Sequence, residues 1–536
     1  MNKVILPFAF CCFLFLCCNQ PSSLPSAAAP NPGGSTAYRE PHRPQFHFSP
    51  PEKWMNDPNG MVWYEGEYHL FYQFYPDSNV WGPMHWGHAL SRDLAGWEHL
   101  PIALYPDSLG YIFSGSVVAD RENTSGFGRN GQTPLVAVFT YHNMAAEKAG
   151  RSDYQSQGVA YSTDKGRTWT KYAGNPVIPN PGNIRDFRDP KVLRDEAGKQ
   201  WVLTLAVHDH IRFWASKDLK HWEPLSDFGK EWGAHGGVWE CPDLFPIKGE
   251  ESGETKWVLL VSINPGAPNG GSGTQYFVGH FDGKKFTPDE SFRSAATGGQ
   301  AVWLDYGRDN YAGVTWSGIP EGDGRRIFLG WMSNWDYAQT VPTTAWRSAM
   351  TLPRTLTLKK TGEGYRLFSR PVAESEALRL DKKRLPGTEI TAVLDLTQHI
   401  GFAPSQLELI LELEPSEDAQ TFGVELSNAK GERYRVGYDA VSRRYFSDRT
   451  RAGDVSFSPK FAAAVHTGPR LLNDKNVRLH LFFDVASAEL FADDGATAMT
   501  DIFFPTEPFG AVKIFTEKGK VKLLKGEAYS LARVWD

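Results

Sequence analysis

The chain has 536 residues, 41% of them hydrophobic, enough to bury one large core and a second beside it, so a wholly disordered polypeptide is excluded. Its net charge of -6, with Lys and Arg scattered among acids and no basic run, excludes a nucleic-acid partner. Aromatic residues reach 13%, with 18 Trp, and clefts lined by indoles suit sugar rings, whose C–H faces pack on the ring while their hydroxyls seek polar neighbours.

The N-terminus reads MNK and then VILPFAFCCFLFLCC, a basic start and an apolar run of the length of an export signal and short for a bilayer span. Cys11, Cys12, Cys17 and Cys18 fall in or at the end of this run, which leaves Cys241 alone in the body and no disulfide framework for the mature fold. Residues 1–18 therefore read as a signal peptide and 19–38 as a Pro/Ser/Ala/Gly linker. The Leu16-Cys17-Cys18-Asn19 stretch resembles a lipoprotein processing site that would lipidate Cys18. A plain secretory signal is the alternative, and both readings expect an exported protein: anchored at the cell surface or outer membrane, or else periplasmic or secreted.

Next comes "WMNDPNG", residues 54–60, which alone would pass as a turn before the apolar alternation of MVWYEGEYHLFYQFY. The motif gains weight because it opens a series: "NDPNGMVWY" at 56, "FSGSVVAD" at 113, "RDPKVLRD" at 188, "ECPDLFPI" at 240 and "YAGVTWSG" at 311. A second series interleaves with it: "SRDLAGWEHL" at 91, "STDKGRTWTKY" at 162, "SKDLKHWEPL" at 216 and, more weakly, "HFDGKKFTP" at 280, each after a strand-like run. Five units, each with an opening strand and an outer hairpin, predict a five-bladed β-propeller over 39–355. Residues 356–378 read as a connecting segment, and the alternating strands of 379–536, such as "VRLHLFFDV", as a β-sandwich. The fold class is thus all-β.

Asp57, Asp189 and Glu240 each stand near the start of the opening strand of a different unit. In a propeller those strands surround the axis, so the three acids converge at one end of the channel. Three carboxylates in one pocket repel one another, an arrangement that points to use. Two suffice to cleave a glycosidic bond, one attacking the anomeric carbon and the other handling the leaving-group proton, while a third can hold the sugar.

Together "WMNDPNG", "FSGS", "FRDP" and "WECPD" resemble glycoside hydrolase family 32, the invertases, inulinases and levanases, over essentially the whole chain after the linker. The resemblance implies a propeller with a C-terminal sandwich and retaining hydrolysis of β-fructofuranosides without a cofactor or catalytic metal. It makes Asp57 the nucleophile, Glu240 the acid/base and Asp189 the transition-state stabiliser. Glu240 is expected to enter the reaction protonated, beside two other acids and apolar neighbours. It further implies a sugar subsite lined by Asn56, Gln73, Ser114 and Trp335, with Trp81 and Phe113 as apolar walls; Arg188, next to Asp189, carries a guanidinium that can orient that acid and bind fructosyl oxygens, a surface ion pair being its plainer reading. Trp54 and Trp239 are expected to be core-facing supports.

Other chemistry-bearing residues have plainer readings. His85 and His88 in "MHWGH", and His208 with Asp209 and His210, have ligand types, but no zinc motif accompanies them; alternation would put His208 and His210 on one strand face. Cys241 has no activating His/Asn set and reads as a packed small side chain. The segment "NVWGPMHWGHA", 79–89, resembles the one that closes the pocket behind a terminal fructosyl unit, which favours release of single fructose units from levan, inulin or sucrose by a monomeric enzyme. An endo-levanase, a fructosyltransferase, an arabinan-cleaving relative and a non-catalytic sugar-binding propeller are the alternatives.

Overall fold

The computed structural model describes residue 1 and residues 38–535, so the signal, most of the linker and Cys18 lie outside the described residues. Five antiparallel sheets stand in a ring. Their innermost strands are Lys53–Tyr64, Tyr111–Ala119, Phe187–Asp195, Val238–Lys248 and Tyr311–Thr315, each touching the next and the last touching the first. These are the five segments that open the repeated units. Closure is secured by Trp346–Arg347, which pairs in parallel with Lys53 and Trp54, so late chain completes the first blade.

The second repeated motif is turn chemistry. In the hairpin after Ser91 the serine hydroxyl accepts from Leu94 N–H at 2.8 Å, and Asp93 Oδ1 accepts from Ala95 and Gly96 at 3.0 and 2.8 Å. Ser216 and Asp218 repeat the pattern with Leu219, Lys220 and His221, at 2.9, 3.0 and 2.8 Å. Short polar side chains thereby replace the backbone partners that a tight turn forfeits.

The predicted boundary between the two lobes needs correction. Arg354–Thr361 pairs with Arg326–Met332, and Gly364–Pro371 pairs with Arg354–Thr361, so 356–371 supplies outer strands of the fifth blade instead of a connection. The buried Leu356 and Leu358 alternate with partly exposed residues, the period-two pattern of a strand with one face in the core. The connector shrinks to a short segment around the 3-10 turn Ala373–Leu378.

Beyond it, one sheet built around Leu407–Pro415 and Val521–Leu531 faces another built around Thr421–Ser427 and Ala511–Thr516. Leu409, Leu411, Val424, Leu481, Leu490 and Ile514 are fully or almost fully buried in the shared core, as in a β-sandwich.

Propeller and sandwich meet over charge. Arg354, wholly buried in the fifth blade, donates to Asp305 at 2.8 Å and also to Glu489 of the sandwich. His47 lies 2.8 Å from Asp484 and 2.9 Å from Glu489, also sandwich residues. Burial alone would pull its imidazole down, but hydrogen bonds to the two carboxylates outweigh that and raise it to about 9.

Candidate active site

The innermost strands do not run evenly past the channel mouth. Register slips between Asn56 and Pro58, Ile112 and Gly115, Arg188 and Lys191 (read from their partners Ala206 and Thr204), Glu240 and Asp243, and Tyr311 and Val314. Every blade therefore carries a β-bulge at the same level, the device that bends a strand and re-aims its side chains. Asp189, Cys241 and Ala312, equivalent positions in three consecutive blades, have positive φ of 64°, 45° and 52°, a conformation that costs energy for residues other than glycine.

All ten residues expected at the site line one cavity of ≈ 290 Å³: Asn56, Asp57, Gln73, Trp81, Phe113, Ser114, Arg188, Asp189, Glu240 and Trp335. Asp57 Oδ1 is buried there without a hydrogen-bond partner. Burial, then the neighbouring Glu240 carboxylate, pushes the Asp57 carboxyl up to about 7, with Asn56 partly offsetting them. Burial likewise raises Asp189, to about 6; Arg188 restrains the rise and Glu240 adds to it. Asp189 is held by the Cys241 backbone N–H, 3.0 Å from its Oδ2, and its own N–H donates to Thr140 Oγ1 at 2.9 Å. Cys241 is thus buried and contributes its backbone to the site, and burial pushes its thiol well up, away from the thiolate a nucleophile needs.

Glu240 lacks the apolar surround expected of it. Arg188 Nε and Nη2 donate to Oε1 at 3.1 and 3.0 Å, and the Tyr311 hydroxyl donates to Oε2. The same guanidinium reaches Asp186 at 2.7 Å and comes within 4.0 Å of Asp189, so Arg188 ties together acids from adjoining blades.

The walls follow the expected division. Trp81 meets Phe113 edge to face at 6.1 Å, and Phe113 stacks on His142 at 4.2 Å. Trp335 packs against Trp331 and Trp54, at 4.9 and 5.9 Å. Trp54 and Trp239 are wholly buried, and the Trp54 indole N–H positions Asn56 through a 2.7 Å bond to Oδ1.

The histidine expectations divide. His88 is buried against Phe71 and bonded to His69 at 3.0 Å. His208 and His210 do not share a strand face: Val207 pairs with His210, so His208 and Asp209 form a two-residue hairpin turn, with His208 at φ 57°. His208 instead bonds to Asp186 at 3.2 Å beside the cavity.

Tyr311, Asp186, Gln155 and His142 went unread in the sequence. Tyr311 had a signal, since it heads the fifth repeat as Glu240 heads the fourth. Asp186 stands three residues before Asp189 in "RDFRDP", where only the second acid was taken up. Gln155 and His142 come from the middle strands of the second blade, which no motif marked.

Comparison with known proteins agrees with this architecture. The profile described as "Glycosyl hydrolases family 32 N-terminal domain" matches residues 47–371, and "Glycosyl hydrolases family 32 C terminal" matches 374–530. The chain is 47% identical to a levanase of Bacillus subtilis over 94% of its own length and 72% of the relative's. It is 38% identical to an extracellular exo-inulinase of Aspergillus awamori over 93% and 96%. A crystal structure of the Aspergillus awamori exo-inulinase superposes with a TM-score of 0.85 at 36% identity, covering 93% of this chain and all of that one. A β-fructofuranosidase of Schwanniomyces occidentalis complexed with fructosyl-erythritol gives 0.82 at 31%, covering 92% and 99%. Matched by this pair of profiles over nearly all of its described residues, this chain belongs to glycosyl hydrolases family 32.

Proposed function

We propose that this glycosidase releases terminal fructose from levan, inulin or sucrose by double displacement with net retention. The observation that carries the reading is the meeting of Asp57, Asp189 and Glu240 on one sugar-sized cavity, with Arg188 bridging the last two. Asp57 attacks the anomeric carbon of the fructosyl unit, and Glu240 passes its proton to the departing oxygen. Water then breaks the fructosyl ester as Glu240 takes the proton back. Asp57 must be ionised to attack and Glu240 protonated to donate. Asp189, with Arg188 beside it to favour its charged form, grips fructosyl hydroxyls more strongly as positive charge grows on the ring.

Release of single terminal units is supported by the 79–89 segment. The Asn79 amide donates to Thr344 O at 2.6 Å and Trp81 N–H donates to Gln339 at 3.3 Å, which ties that segment to the 335–344 loop beside the cavity. The names of the extracellular exo-inulinases agree with export and exo action. The reading places the enzyme outside the cytoplasm as a monomer, with the Leu16-Cys17-Cys18-Asn19 stretch supporting a lipid on Cys18 and a plain secretory signal as its alternative.

Incubation with sucrose, inulin, levan and arabinan, followed by chromatography over time, tests the reading. Fructose as the sole early product is expected. Early oligosaccharides from levan would replace it with endo action, and fructosylated sucrose with transfer.

A further inference from the structure

Just past the acids the channel is interrupted. Lys191 lies 3.4 Å from Asp243 and donates to the Thr315 carbonyl, while Thr315 donates to Asp243 Oδ2 through its hydroxyl at 2.8 Å and its N–H at 2.6 Å. These residues are all buried and stand two to four positions beyond Asp189, Glu240 and Tyr311 on the same strands. On the far side of this layer a second cavity opens at the other end of the channel, ≈ 440 Å³ against ≈ 290 Å³ for the catalytic one.

Its lining is chemically mixed. Asp243, 1% exposed, has its Oδ1 buried in the wall with no hydrogen-bond partner. Arg326 stands in the wall with its Nε bound to Pro246 O, and its charge acts on Asp243. Trp257, half-buried, adds an aromatic wall. The remaining charges are largely matched, Arg194 with Glu122 at 2.7 Å and with Glu196 at 3.7 Å.

We propose that this far mouth binds a neutral saccharide chain, separately from the catalytic pocket. The Arg326 guanidinium donates to ring or hydroxyl oxygens, and a sugar face covers Trp257. An anionic ligand suits it less, since the charges of the lining are already largely matched. That the sugar is a fructosyl oligosaccharide rests on the fructan reading above. Such a site would hold the enzyme on a polymer without taking part in cleavage.

Kinetics and binding test it together. In Arg326→Met, KM for polymeric levan or inulin should rise about three-fold while kcat, and both constants on sucrose, stay unchanged. In Glu240→Ala protein, which spares the ligand, titration with a fructo-oligosaccharide of four to six units should find two sites. Adding Arg326→Met should leave one. A single site unaffected by Arg326→Met, or a far cavity holding only water in crystals soaked with that oligosaccharide, would overturn the proposal. Sucrose kinetics report whether Arg326→Met is folded; should it fail to fold, the soaked Glu240→Ala crystal decides. A protein that cleaves no fructan or sucrose would instead sink the fructosidase reading, an outcome distinct from losing the second site.

Discussion

Replacing Asp57 by Asn should trade activity for stability, and only at some pH values. Asp57 is half-buried beside Glu240, with its Oδ1 buried and unpartnered, and its carboxyl is pushed from 3.8 to about 7. Between those values the folded protein binds a proton that the unfolded chain releases, so stability falls as pH rises and the full cost is reached above about 7. At ~1.36 kcal/mol per pH unit the ceiling is about 4 kcal/mol. Because the carboxyl borders a cavity open to solvent, roughly half of that is expected, about 2 kcal/mol. With unfolding entropy of ~2.1 cal/mol/K per residue over roughly 500 residues, Asp57→Asn should melt about 2 °C higher at pH 8. It should match the parent near pH 4, where the native carboxyl is already neutral. The same variant should lose roughly 10⁴-fold in kcat on sucrose, having no nucleophile. Differential scanning calorimetry at pH 4, 6 and 8 makes the comparison. An equal gain at every pH, or a lower melting point at pH 8, would refute the claim that electrostatic cost is concentrated at this carboxylate.

Glu240→Ala should lose far more activity on sucrose than on an activated fructoside with a good leaving group, since only the former needs its proton; equal losses on both would remove Glu240 from the acid role. Tyr311→Phe removes a hydroxyl donor from Glu240 and should lower kcat by about 10- to 100-fold, the worth of a hydrogen bond to a charged group, with KM nearly constant. A kcat within two-fold of the parent would show that Tyr311 merely packs. For His47, raised to about 9, the stabilisation is complete below pH 6.5 and disappears as pH climbs through 9. Urea unfolding should therefore show a loss of about 3 kcal/mol between pH 6.5 and 10. In His47→Gln that pH dependence should flatten, and an unchanged slope would assign it to other groups.

The sequence announced this fold where chemistry repeats locally. Ser91, Ser216 and their following aspartates mark outer hairpins because a tight turn needs side-chain acceptors at fixed offsets, and Asp57, Asp189 and Glu240 stand out because each occurs early in an opening strand. The fifth blade was harder. A detour from 333 to 348 carries Trp335 to the cavity and Trp346 to the first blade before Ala349 resumes the sheet, so adjacency in space and in sequence part company. Nor does any residue type betray a bulge: the slip after Glu240 shows only in its pairing with Ser262 and the next pairing of Asp243 with Leu260. The donors around Glu240 were hidden for a related reason, since Arg188 and Tyr311 lie on other blades and only ring closure delivers them.

The charges shared by the two lobes bear on how such enzymes can be rebuilt. Arg354 and His47 belong to one side and Glu489 and Asp484 to the other, all of them shut away from water. Separating the lobes at the short connector would strand a cation on one fragment and carboxylates on its counterpart, and removing one member of a buried pair costs about 3–5 kcal/mol. The sandwich is thus a counterion as much as a buttress, and a chimera that borrows it from elsewhere must import acids at these two places or replace both halves of the set at once.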